Sequence, residues 1–149
     1  MVSASRSRWP RRCQCLHRFA SRSKPGIIDR VTFTAVVVDD QADFRHVARA
    51  LLEAGGFQVV GEAGSGAEAL AVAVAKRPRL VLLDIQLPDI DGFAVSREIS
   101  RLLPATAVVL CSVRDAADYG DRVGQCGARG FLKKTSLSPA ALIHLLADG

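Results

Sequence analysis

Between Thr34 and Leu146 the chain switches repeatedly between short, unbroken apolar runs and stretches whose apolar residues recur every three or four positions. The runs are Thr34–Val38, Leu80–Asp84 and Ala107–Cys111, and Gln58–Ala63 and the short Gly130–Lys133 read as two further strands. Runs rich in Val, Ile and Leu with no polar alternation suit strands covered on both faces, as in a parallel sheet. The intervening segments carry helical spacing. Phe44, Val47, Ala48, Leu51 and Leu52 form one set, stopped by Gly55-Gly56. Ser65 and Glu68 make a capping box for a second helix through Leu70, Ala71 and Val74, which ends before Pro78. Phe93, Ile99, Leu102 and Leu103 predict a third, closed before Pro104. Residues 116–126 predict a weaker fourth, because Gly120 and Gly124 lower its propensity. Ser138 as N-cap and Pro139 as first residue begin a fifth, with Leu142, Leu145 and Leu146 inward. Five strands alternating with five helices imply an α/β fold, a doubly wound parallel sheet with helices on both faces.

Length and charge divide the chain. At 149 residues it suits one globular domain. The net charge of +5 is unevenly spread: residues 1–31 hold eight cations and one acid, and the remainder holds twelve cations and fourteen acids. The high isoelectric point therefore belongs to the N-terminus and does not mark the globule as nucleic-acid-binding. Residues 1–32, rich in Arg and Ser and without apolar periodicity, are expected to be a disordered basic tail or to precede the true start; 33–149 is the domain. A transit peptide is a weaker reading of the same composition. Cys13, Cys15 and His17 lack a fourth neighbour for a zinc site. Cys111 and Cys126 read as small core residues, and four cysteines so spaced make no disulfide framework. A reducing, cytoplasmic setting follows, with no run long enough to span a membrane.

The chemistry sits where strands end. Asp39 and Asp40 follow the first strand, Asp84 ends the third, Ser112 follows the fourth, and Lys133 and Lys134 close the fifth. Parallel strands joined by right-handed crossovers bring these carboxyl ends to one edge, where open α/β sheets bind ligands. Carboxylates gathered there repel one another unless a cation joins them, and a hard divalent ion such as magnesium takes oxygen ligands. A lysine and a hydroxyl beside them would hold phosphoryl oxygens as charge develops, so Asp84 reads as a nucleophile accepting a phosphoryl group. Only one of two adjacent lysines can point inward.

From about Thr34 to Ala147 the chain resembles the receiver domain of two-component response regulators. The resemblance rests on Asp39-Asp40, on Asp84 with Pro88 and Gly92, on Ser112, and on Phe131 followed three residues later by Lys134. It implies strand order 2-1-3-4-5, the flavodoxin-like arrangement. It also implies magnesium on Asp39, Asp40, Asp84 and the Gln86 carbonyl, phosphate passed from a histidine kinase or phosphotransfer protein to Asp84, and Lys134 on the acyl phosphate. Ser112 and Phe131 would be the switch pair. Gln86 and Arg114, each two residues beyond a site residue, would tune phosphate lifetime through water access. Thr135 departs from the proline that commonly follows the family lysine. Asp43 and Asp91 read as a first-turn acid and a loop acid, without a site role.

The resemblance makes the chain a phosphoacceptor and not a turnover enzyme, switching a partner-binding or dimer face built from helix four, strand five and helix five. No helix-turn-helix segment follows the fifth helix, so no DNA-reading module is expected in this chain. Two alternatives remain at this point. An aspartyl-nucleophile phosphohydrolase of the haloacid-dehalogenase type needs an acid two residues after the nucleophile, where Gln86 stands. A docking module that never takes phosphate would have no need of the full set of acids, serine and lysine.

Overall fold

A computed structural model describes residues 33–148 of the chain. The basic tail, with Cys13, Cys15 and His17, lies outside the described residues. The strands are β1 (Phe33–Val38), β2 (Phe57–Ala63), β3 (Leu80–Asp84), β4 (Ala107–Ser112) and β5 (Gly130–Lys133). They form one sheet in the order β2-β1-β3-β4-β5, and every neighbouring pair is parallel. The helices are α1 (Ala42–Ala54), α2 (Gly66–Lys76), α3 (Gly92–Leu102), α4 (Arg122–Gln125) and α5 (Pro139–Asp148).

Strand alternation divides the core into two layers. Ala35, Val37, Leu80, Leu82 and Val109 pack against Ala48 and Leu52 of α1 and Leu142 and Leu146 of α5. Their neighbours Val36, Val38, Val81, Leu83 and Leu110 face Ala69 and Ala73 of α2 and Phe93 and Ile99 of α3. All five residues of β3 are buried, which is why its sequence shows no polar alternation. Each fully buried Val or Leu here contributes about 1.5–3 kcal/mol of burial free energy. Among the described residues no helix is long and apolar enough to cross a membrane.

Three local expectations are corrected. The buried face of α2 is made by Gly66, Ala69 and Ala73, whereas Val74 is exposed. Small residues let this helix approach the sheet closely, and apolar size alone did not identify that face. Ser65 Oγ does accept the Glu68 N–H at 3.2 Å, but the Glu68 carboxylate reaches back to the Gly64 N–H at 2.7 Å, one residue beyond the N-cap. The predicted fourth helix is broken in two. Ala116–Tyr119 forms a 3-10 turn, Gly120 follows at φ 63°, and only Arg122–Gln125 is α-helical. The positive φ at Gly120 ends the helical path, which glycine tolerates at little steric cost.

Candidate functional site

The carboxyl ends of β1, β3 and β5 converge on one cluster. Asp39 is fully buried and Asp84 is 6% exposed, while Asp40 lies at the surface. One oxygen from each of these three acids falls within 4.8 Å of the others. Asp39 Oδ1 accepts the Gln41 N–H at 2.9 Å, which fixes the start of the β1–α1 loop. Its Oδ2 is buried and forms an ion pair with Lys134 Nζ at 2.6 Å. Lys134 Nζ also lies 3.8 Å from Asp84 Oδ2. Burial, and then the negative charge of Asp39, push the Asp84 carboxyl up to about 6, against a smaller opposing effect of Lys134. Burial pulls the Lys134 ammonium down, but its bond to Asp39 and the charge of Asp84 outweigh this and leave it raised.

Three carboxylate oxygens gathered around a single ammonium make an all-oxygen donor set with an excess of negative charge, which fits a hard divalent cation. Gln86 stands over the cluster, its N–H 3.5 Å from Asp84 Oδ1 and its side chain exposed. The residue two beyond Asp84 is therefore an amide, without the acid a dehalogenase-type phosphohydrolase uses. The loop turns away at Gly92, whose N–H meets the Ile85 carbonyl at 2.9 Å. A Cβ there would sit 2.6 Å from the Asp84 carbonyl oxygen, so only glycine fits.

The two lysines separate as strand geometry requires. Lys134 enters the cluster, and Lys133 pairs with exposed Asp115 at 3.1 Å. Ser112 is 2% exposed, and its Oγ shares a hydrogen bond with Tyr119 Oη at 2.8 Å. Phe131 is half-buried with its ring centroid 6.1 Å from that of Tyr119. Arg114 gives its backbone N–H to Ser112 Oγ at 3.1 Å, and its side chain is exposed. Asp43 is the first-turn acid of α1. Asp91 caps α3 through the Phe93 N–H and forms an ion pair with Arg122.

Four residues without a site role in the sequence reading bear on this site. Arg45 Nη1 donates to the Asp39 carbonyl at 2.6 Å while its Nε holds Glu62 at 3.2 Å. The Phe44 ring lies 4.5 Å from Lys134 Nζ, a cation–π distance. Asp89 accepts the Gly66 and Ala67 N–H groups at 2.7 and 3.0 Å, pinning the loop beyond Asp84 to the start of α2. These backbone N–H groups hold the Asp89 carboxyl below its usual range. Tyr119 is the fourth, and its being the chain's single tyrosine was the only sequence signal available.

Residues 35–147 match the family model described as the response regulator receiver domain. A Pseudomonas aeruginosa protein named as a transcriptional regulator is 42% identical over 99 residues, 66% of this chain and 48% of its own. Response regulator GacA of Pseudomonas protegens is 38% identical over 100 residues, covering 66% of this chain and 47% of GacA. The chain thus spans about half the length of these curated relatives. Among solved structures, the signal receiver domain of NarL from Mycobacterium tuberculosis superposes with TM-score 0.70 at 37% identity, covering 79% of this chain and 98% of that one.

Proposed function

Because the chain belongs to the response regulator receiver domain family of two-component systems, we propose that Asp84 is its phosphoacceptor and that Asp39, Asp40, Lys134 and Ser112 serve the transfer. The observation carrying this reading is the convergence of three carboxylate oxygens and Lys134 Nζ at the end of β3, a strand buried at every residue. The donor is a phosphohistidine of a histidine kinase or phosphotransfer protein. An Asp84 carboxylate oxygen forms a bond to phosphorus as the phosphorus–nitrogen bond breaks. The electron pair of that bond stays on the histidine ring, and Asp84 becomes a mixed anhydride with phosphate.

Asp39, Asp40, Asp84 and the Gln86 backbone carbonyl would hold a magnesium ion. When bound, the ion offsets the clustered negative charge and polarises phosphoryl oxygens. Lys134, freed from part of its contact with Asp39, supplies an ammonium to the phosphoryl oxygen nearest β5. Ser112 turns its hydroxyl toward the phosphoryl group and Phe131 moves inward behind it. Gln86 and Arg114, both exposed at the mouth, set how easily water reaches the anhydride and so tune its lifetime. The chain accepts one phosphoryl group and loses it again without turnover of a second substrate. Its output is a change of the surface made by α4, β5 and α5, read by a downstream protein or a second copy of the chain. No DNA-reading element occurs among the described residues, and a cytoplasmic site of action completes the reading.

Acetyl phosphate with magnesium tests this directly. Wild-type chain is expected to gain one acid-labile phosphoryl group by intact mass, and Asp84→Asn none. Undiminished labelling of Asp84→Asn would overturn the assignment.

A further inference from the structure

Building on the phosphoacceptor reading of Asp84, we propose that Tyr119 is a positioning residue that latches Ser112 in its resting orientation. Phosphorylation then has to exchange the Ser112–Tyr119 hydrogen bond for one between Ser112 and a phosphoryl oxygen. A serine hydroxyl has one proton and two lone pairs. The Arg114 N–H takes one lone pair at 3.1 Å, and Tyr119 Oη engages one of the two remaining places at 2.8 Å. At 2% exposure Ser112 has no water to replace a lost partner, so its hydroxyl moves only when another polar group is offered. Tyr119 itself is half-buried.

The tyrosine ring ties the second switch residue to the first. It packs edge-on against buried Phe93 at 5.4 Å and tilted against Phe131 at 6.1 Å. Inward movement of Phe131 therefore meets the ring whose hydroxyl holds Ser112. The backbone suits such a moving part. Tyr119 ends a four-residue 3-10 turn, and the next residue, Gly120, has φ 63° with open space around it. The hydroxyl bond favours the resting state, and the charge-assisted bond to phosphate is the stronger of the two. Tyr119 thereby raises the threshold for switching without touching the phosphoryl group.

The test is a titration of the full chain with magnesium and beryllofluoride, a non-covalent phosphoryl stand-in, followed through backbone amide resonances. Tyr119→Phe keeps the ring and removes only the latch. Its midpoint is expected about fivefold below wild type, the equivalent of one ordinary hydrogen bond. In a Ser112→Ala background the same substitution is expected to produce no further tightening, since the hydroxyl it would release is gone. A Tyr119→Phe midpoint equal to or above wild type, or a tightening that persists without Ser112, overturns the latch. A wild-type chain that ignores beryllofluoride would instead overturn the phosphoacceptor reading, and the latch with it.

Discussion

Asp84 is held in a condition that costs the fold stability. Its carboxyl is pushed up to about 6, so the fold favours the protonated form. The contribution is fully present below the ordinary carboxylate range and is lost as pH rises through about 6. Asp84→Asn, neutral at every pH, should therefore raise Tm in metal-free buffer, with a gap over wild type that widens between pH 5 and 7. At neutral pH the gain is on the order of 2 kcal/mol; thermal melts showing an equal gap at both pH values would contradict it. Added magnesium should raise the wild-type Tm at pH 7, by binding only the folded state. Exposed Asp40 should matter little without the ion, so Asp40→Ala is expected to leave the metal-free melt unchanged and lose most of the magnesium response. The two lysines divide as sharply. Lys134→Ala strands a fully buried Asp39 carboxylate and should cost about 3 kcal/mol along with most labelling. Lys133→Ala breaks a surface pair worth at most about 1 kcal/mol; chemical denaturation with acetyl phosphate labelling ranks the two.

At the scale of elements, the central strands β1, β3 and β4 were legible because both-face burial writes itself as continuous apolar runs. Helix starts were nearly as clear: Ser138 Oγ caps α5 through the Ala141 N–H, as its place before Pro139 predicts. The fourth helix was not. Its glycines lowered propensity evenly along 116–126, but only the φ of 63° at Gly120 shows where the path breaks. The α2 face was missed because Ala69 and Ala73 are small, and close approach to a sheet is a property of two elements together. Glycine positions give a test at this scale. Gly92→Ala drives a Cβ into the Asp84 carbonyl and the Ile85 backbone, and should lower Tm by many degrees and impair labelling. Gly124→Ala meets open space inside α4 and should be neutral or slightly stabilising, by up to about 1 kcal/mol. Equal melts for the two variants would refute this reading of the β3–α3 loop.

At the scale of the whole molecule, the charge asymmetry and the sheet are separate matters. The excess of positive charge lies in residues 1–31, and the part that folds into the sheet is mildly acidic. A chain beginning at Phe33, which is itself buried at 3%, should retain the melt and the labelling stoichiometry of the full chain. Loss of either on removing 1–32 would show that the basic segment belongs to the receiver's working unit.

The linear order of residues determined which chemistry is available: acids after strands one and three, a hydroxyl after strand four, a lysine after strand five. The alternation of apolar runs with helical spacing also pointed to a parallel, doubly wound sheet, and the receiver resemblance implied its strand order. Tertiary structure alone decided how those groups meet. Asp39 buries one oxygen in an ion pair with Lys134; Phe44 and Arg45 of α1 brace the lysine and the loop. It also decided that Ser112 rests on Tyr119. The reason is range: periodicity and caps are set by neighbours within a few residues, whereas a hydroxyl's partner and a carboxylate's protonation depend on atoms that only the packed fold brings near.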